Sequence, residues 1–376
     1  MKSFRNFHFI AVSLFLFLLL APLGAAAERV YLDITTDKTR QIKMAVPPFT
    51  SSSTMKGAKY ANILAKALAF HGIISIIPAE SYGNSQQADW RQTGADFTVL
   101  GEAKQNNSEL NLQIRVVDVA SGSQIIAKSF TGKESDSKKM LFNFCDEVIQ
   151  QLTGTLGIAN THIAFVGLKN NAKEVYLTDI LGDSLRQVTR HKNITVSPRF
   201  VPNSSKLSYS SYHSGSQNLY ITDLRQNKTT QALSRRKGIN VAPAWSPDGR
   251  KMILTLSKKG NPDLFLLDNK GEILQQLTKR SGINVSPTWS PDGRFIIFVS
   301  DRSGRPQLYR MELATQKTER ITYEGKENAE PVWSPTERLI AFTCMRNGVY
   351  QICTMDPLTT EMPKQLTTGF SSSESP

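Results

Sequence analysis

A proline returns through the second half of the chain at a nearly fixed interval: Pro198, Pro243, Pro287, Pro331 and Pro376 are separated by 45, 44, 44 and 45 residues. After each of the first four, an aromatic follows two residues later: Phe200, Trp245, Trp289 and Trp333. Self-similarity at this length makes each copy one supersecondary unit that buries an apolar face against its neighbour, which restricts the architecture to propeller blades or solenoid modules. Within a period, Met252-Ile253-Leu254, Leu264 to Asp268 and Gln275-Gln276-Leu277-Thr278 read as strands separated by turn residues. The next copy repeats them as Phe295 to Phe298, Gln307 to Met311 and Arg320-Ile321-Thr322. With the aromatic strand, each period is a four-stranded antiparallel meander, and four strands per repeat favour a propeller.

The hexapeptide Trp245-Ser246-Pro247-Asp248-Gly249-Arg250 recurs as Trp289 to Arg294. Proline fixes φ, aspartate accepts hydrogen bonds from nearby backbone N–H groups, glycine permits positive φ, and tryptophan offers an apolar plate to pack between adjacent sheets. These aspartates are turn residues rather than catalytic carboxylates. The copies at Phe200 to Ser204 and Trp333 to Arg338 have lost some of these residues and are expected to keep the blade geometry.

The first 27 residues have a different character. Lys2 and Arg5 precede an apolar run from Phe9 to Leu20, and Ala25-Ala26-Ala27 supplies small residues, the layout of a secretory signal cleaved after Ala27. The first cysteine is Cys145, so the run has no lipid-anchor cysteine behind it. Loss of Lys2 and Arg5 takes the formal charge from +13 to +11 (13 − 2), because residues 1–27 contain no acid. The cations fall in scattered turns without interleaved aromatics, which argues against nucleic acid and for a solvated basic surface. Cys145, Cys344 and Cys353 are too few for a disulfide framework and have no C-x-x-C spacing. Cys344 and Cys353 fall on neighbouring strands of one hairpin; two unpaired, buried small residues are expected, with a bridge as the alternative.

Residues 28–157 carry no repeat and read as a small α/β domain with a mixed sheet. Strands are expected at Val30 to Ile34 and Ile42 to Val46, and a helical stripe over Tyr60 to His71. Leu110, Leu112, Ile114 and Val116 alternate as one strand face, Ser121-Gly122 turns the chain, Gln124 to Phe130 returns, and a helix closes the domain over Ser137 to Leu152.

The tandem W-S-P-D-G-R turns, with the following Ile296-Ile297-Phe298 and Leu308-Tyr309 strands, resemble the repeats of the TolB family. The first domain resembles that family too, at Ile42 to Phe49, Asp89 to Asp96 and Arg115 to Gly122, and so does the passage from Leu152 to Val166. The resemblance implies a propeller over residues 158–376. The family has six blades, and only five strand sets open here, at Ile163, Leu207, Met252, Ile296 and Ile340. The chain is therefore expected to lack the last blade, with an incomplete sequence preferred over a five-bladed ring.

No G-x-S-x-G, H-E-x-x-H, P-loop or G-x-G-x-x-G occurs, and His71, His162, His191 and His213 form no ligand spacing, so the expectation is a non-enzyme without cofactor or metal. Loops leading into the aromatic strands carry Asn193, Asn240, Asn284 and Asn328. Two readings stand: asparagine tolerating left-handed geometry, or a partner-binding rim of Asn193, Thr195, Asn240, Asn284 and Asn328 with apolar Ile239, Ala242, Ile283 and Val285. The resemblance implies that this face engages the Pal-type lipoprotein. It also implies that Glu28, Val30, Tyr31, Leu32, Asp33 and Ile34 engage a TolA-type inner-membrane protein, unless that segment is simply the domain's first strand. The expected role is a monomeric periplasmic hub of the Tol-Pal system, serving outer-membrane integrity and division. A peptidase propeller module and a cell-wall glycan receptor stand as alternatives.

Overall fold

The structure is a computed structural model that describes residues 40–376, apart from 84, 107, 227–229, 258–259, 360 and 370. The expected signal (1–27) and the expected strand Val30 to Ile34 lie outside the described residues. Two compact units meet between Thr161 and His162, four residues (161 − 157) beyond the expected boundary. The reason is electrostatic: the Asp146 carboxylate accepts the backbone N–H groups of Ala159 (2.6 Å) and Asn160 (3.2 Å), and His71 Nε2 accepts that of Ile158 (3.0 Å). Those bonds tie residues 158–160 to the first unit.

The first unit is a mixed sheet with two helices. Strands β1 (Ile42–Ala45), β2 (Thr50–Ser51), β3 (Ile74–Ile76), β4 (Phe97–Asn106), β5 (Glu109–Asp118) and β6 (Gln124–Lys133) run in the order β3-β1-β4-β5-β6, with β2 beside β4. β1 is parallel to β3 and β4, whereas β4, β5 and β6 form an antiparallel meander. Leu110, Leu112, Ile114 and Val116 are all buried, as their alternation requires. Helix α1 (Thr54–Phe70) begins six residues before the expected stripe, and α2 (Ser137–Thr153) ends within one residue of the expected bound. The early start of α1 rests on Gly57, where a Cβ would fall 2.0 Å from Phe49 O. Only glycine lets the first turn approach that chain so closely.

The second unit is a β-propeller with five blades. Its first sheet has three strands, β7 (His162–Lys169), β8 (Ala172–Asp179) and β9 (Arg186–Gln187). Four sheets of four strands follow. They are β10 (Thr195–Phe200), β11 (Lys206–Ser211), β12 (Asn218–Asp223) and β13 (Thr230–Ser234); then β14 (Asn240–Trp245), β15 (Lys251–Leu256), β16 (Asp263–Asp268) and β17 (Ile273–Gln276). Next come β18 (Asn284–Trp289), β19 (Phe295–Ser300), β20 (Gln307–Glu312) and β21 (Thr318–Arg320), and finally β22 (Asn328–Trp333), β23 (Ile340–Arg346), β24 (Val349–Met355) and β25 (Lys364–Gln365). Each sheet is a meander, and the first strand of each four-stranded blade approaches the first strand of the next, β10 to β14 to β18 to β22. These strands are therefore the innermost. Apolar side chains interdigitate between blades, as where Ile297, Val299 and Leu308 meet Trp333, Phe342 and Met355.

The repeated proline has a backbone purpose. Ser197, Ala242, Ser286 and Glu330, each directly before it, have φ of 55°, 53°, 51° and 50°. At each place two residues of the inner strand oppose one of its neighbour, a β-bulge that puts proline where no ladder N–H is needed. Ser375, before Pro376, repeats the bend with φ 59°.

Two features differ from the sequence reading. Cys344 and Cys353 are bridged, with Cα atoms 5.9 Å apart. In the register of β23 and β24, Cys344 faces Gln351 and Cys353 faces Phe342, so the cysteines are diagonal neighbours on one sheet face, within bridging reach. The last strand of the repeat also ends earlier than read: β17 stops at Gln276, after which Leu277 N bonds Leu264 O and the Thr278 hydroxyl bonds Asp263, both on β16 of the same blade.

Candidate interaction face of the propeller

The tryptophan turns act as sequence reading expects. Trp245 Nε1 donates to Ser208 Oγ of the preceding blade (2.8 Å), and Trp289 Nε1 donates to Ala244 O of its own predecessor (2.9 Å). Asp248 Oδ1 accepts from the Ser246 hydroxyl (2.6 Å) and from Arg250 N (3.0 Å), while Gly249 sits at φ 68°. The Ser246 hydroxyl and the Arg250 N–H hold the Asp248 carboxyl below its ordinary range, and the Ser290 hydroxyl does the same for Asp292. In each turn one carboxylate oxygen, Asp248 Oδ1 or Asp292 Oδ1, accepts both the serine hydroxyl and the arginine backbone N–H.

The asparagines are placed otherwise than either sequence reading supposes. Asn240, Asn284 and Asn328 open β14, β18 and β22, are 0% exposed, and are absent from the positive-φ residues. They are buried clamps between blades. Asn284 Nδ2 donates to Asp263 Oδ1 (3.1 Å) and Gly282 O (2.8 Å), and its Oδ1 accepts from the Arg302 guanidinium (2.7 Å). Thr278 Oγ1 donates to the same Asp263 oxygen (2.8 Å) and accepts from Leu264 N (2.9 Å). One blade later, Asn328 Nδ2 and Thr322 Oγ1 both donate to Gln307 Oε1, at 2.9 and 2.8 Å. Asn240 Nδ2 meets Gln217 O and Arg236 O instead, and its Oδ1 accepts from Ser234 Oγ. Thr195, the equivalent residue of β10, is likewise buried, against His191 and Ser211. A rim of amides is thus corrected: a buried amide left unpaired costs free energy, so the donors and acceptors turn inward.

Three partner-rim residues remain to be placed. Asn193 is exposed and bonds Tyr212 O (3.2 Å); by repeat position it aligns with Gly238, not with Asn240. Ala242 is half-buried in the bulge. Val285 packs against the next blade's core beside Trp333. What the loops do expose is a row of isoleucines, Ile194 (44%), Ile239 (37%) and Ile283 (45%), each one residue before a first strand. Because each second strand returns toward the start of the first, the 212–217 and 301–306 loops lie on this same face. Among the described residues no group of His, Cys, Asp and Glu could hold a metal ion, and no helix is long and apolar enough to cross a membrane.

Residues 149–376 match the family model of the TolB beta propeller domain, and residues 30–125 that of the TolB amino-terminal domain. This chain belongs to the TolB family. It is 55% identical over 245 residues to the Tol-Pal system protein TolB of Desulfotalea psychrophila, covering 62% of this chain and 56% of that one. To the Tol-Pal system protein TolB of Desulfosudis oleivorans it is 33% identical over 229 residues, covering 57% and 52%. The match thus spans about half the length of these curated TolB relatives. The crystal structure of TolB from Acinetobacter baumannii superposes with a TM-score of 0.78 at 26% identity, covering 89% of this chain and 85% of that one.

Asp263 and Gln307, the side chains that meet Asn284 and Asn328, escaped the sequence reading although they carry a signal. Glu174, Asn218, Asp263, Gln307 and Gln351 recur at 44- or 45-residue intervals, each in the third strand position of its blade. A polar residue repeated at the mouth of an otherwise apolar strand marks a buried hydrogen-bonding site. His191 is half-buried with Nδ1 2.8 Å from Ser211 Oγ; burial first, and His213 at 4.2 Å between ring centroids second, push its pKa below the usual imidazole value.

Proposed function

We propose that this TolB-family chain is a periplasmic protein-interaction component of the Tol-Pal system, and that the loop face carrying Ile194, Ile239 and Ile283 docks the Pal-type lipoprotein. The observation that carries the reading is that row of exposed isoleucines, each directly before a buried strand-opening residue, Thr195, Asn240 or Asn284, that anchors its loop. Apolar side chains presented on a rigid frame lose little conformational entropy on binding. The N-terminal segment Glu28, Val30, Tyr31, Leu32, Asp33 and Ile34 engages the TolA-type protein by adding a strand to a sheet edge. Its support is the alternating sequence pattern. The same reading assigns residues 1–27 as the export signal, with the chain supporting envelope integrity and constriction by linking its two partners.

The test is retention on an immobilised soluble domain of the Pal-type lipoprotein. Wild-type protein is retained, and Ile239→Asp with Ile283→Asp releases it while a peptide of residues 28–38 still binds the TolA-type domain. Unchanged retention of the double variant sinks the face assignment.

A further inference from the structure

The propeller's formal charge of +10 (29 Lys and Arg less 19 Asp and Glu over residues 162–376) is distributed unequally between its two faces. Turns joining first to second strands place acids beside cations, Asp248 with Arg250 and Asp292 with Arg294. Ion pairs Arg294–Glu312 (3.8 Å) and Arg338–Asp356 (2.6 Å) neutralise the same side further. The isoleucine face is different. Arg235, Lys237, Lys279, Arg280, Arg305 and Lys326 are all exposed there, and none has an ion-pair partner among the described residues.

Two concavities occupy equivalent places on this face, each between a blade's second-to-third-strand loop and the loop leading into the next blade. One, of about 520 Å³, is lined by Gln217, Arg235, Arg236, Lys237 and Ile239 among others. The other, of about 400 Å³, is lined by Ser303, Arg305, Gln307, Arg320 and Lys326. Neither wall includes an acidic side chain. In each, one arginine is held in place: Arg236 donates to Ser234 Oγ (3.0 Å) and Gly271 O (2.8 Å), and Arg320 Nε to Thr322 O (2.6 Å). The guanidinium groups are therefore positioned before any ligand arrives, which suits planar carboxylates.

We propose that the two basic sockets receive carboxylate side chains from an acidic protein surface, so that the partner on this face is steered by charge and seated by the isoleucines. The inference rests on the reading that this face docks a protein. A phosphate-bearing glycan or lipid headgroup offers carboxylate-like charge but nothing apolar to cover Ile194, Ile239 and Ile283, so the mixed character of the face favours protein. Like-signed charge on a docking face raises association rates by roughly 10- to 1,000-fold, an effect lost when the screening length contracts with salt.

The experiment uses the full chain with three probes: the soluble domain of the Pal-type lipoprotein, a ten-residue oligoglutamate peptide, and phosphatidylglycerol vesicles. Variants are Arg235→Glu with Lys237→Glu, Arg305→Glu with Lys326→Glu, and Lys251→Glu on the opposite face as control, each checked for an unchanged urea midpoint. The expected result is that wild type binds the lipoprotein domain with an association rate that falls about tenfold or more between low and high salt. Each socket reversal should match that loss at low salt, and the control should not. Oligoglutamate binding lost in both reversals, with the lipoprotein domain unbound by wild type, upholds the sockets and removes the Pal-type reading. Lipoprotein binding that ignores both salt and the reversals upholds that reading and overturns the sockets. Vesicle binding as tight as the lipoprotein domain's, lost in the same variants, overturns the commitment to protein.

Discussion

Replacing Asn284 by alanine tests whether the recurrent asparagine joins blades or meets a partner. The wild-type side chain is fully buried, donates to the Asp263 carboxylate, Gly282 O and, at 3.4 Å, Ser281 Oγ, and accepts from the Arg302 guanidinium. Hydrogen bonds to charged groups contribute about 1.5–3 kcal/mol each, and buried groups left without a partner add their own desolvation cost; solvent reaching Arg302 offsets part, leaving about 3 kcal/mol lost. Asn328→Ala should cost less, about 2 kcal/mol, because Asn328 Oδ1 has no hydrogen-bond partner to lose. Exposed Asn193→Ala should stay within about 0.5 kcal/mol of wild type. Urea unfolding reads all three: at an m-value of about 3 kcal/mol/M, the Asn284 midpoint falls by about 1 M. Retention on the lipoprotein domain, measured without urea, should be unchanged for Asn193→Ala and should fall only modestly for Asn284→Ala, through the loosened Ile283 loop. An Asn284→Ala protein as stable as Asn193→Ala, or one of wild-type stability that no longer binds, refutes the clamp.

Three other outcomes follow from the same geometry. Gly271 has φ 92° and a Cβ there would lie 2.0 Å from Leu233 O of the preceding blade, so Gly271→Ala should lower stability by about 2 kcal/mol or more in the same urea assay. Reducing the Cys344–Cys353 bridge, which closes a separation of 9 residues, should cost about 2–3 kcal/mol, and thiol alkylation under denaturing conditions should count one free cysteine before reduction and three after. Asp248 and Asp292 have folded pKa values lowered by the Ser246 and Ser290 hydroxyls, so their stabilisation is complete above the unfolded value near 3.9 and is lost as pH falls through the folded values. Asp248→Asn with Asp292→Asn should accordingly flatten the fall in thermal midpoint between about pH 4 and pH 2; an acid limb as steep as that of wild type counts against the turn assignment.

Much of the fold was legible because its signals are local and repeated. The Trp245 and Trp289 turns, the period-2 strand Leu110 to Val116 and the helix from Ser137 each declare their geometry within a few residues. The candidate site was less so. Asn284 looks identical on paper to an exposed recognition residue, and only the approach of Asp263 and Arg302, 21 and 18 residues away, turns it inward. Val285 reads as a surface apolar residue until the next blade covers it. The bridge between Cys344 and Cys353 depended on a strand register that spacing alone left open.

The amino-acid sequence by itself determined the number and kind of units: an interval of 44 or 45 residues, four strands per full interval, and an α/β domain ahead of them. Those follow from turn chemistry and hydrophobic period, which act between near neighbours. Tertiary structure alone decided which polar groups face water and where the charge gathers. Burial depends on what another blade brings against a side chain. Likewise, the loops that pool Arg235, Lys279 and Arg305 on one face are far apart in sequence and become neighbours only when successive sheets turn about a common centre.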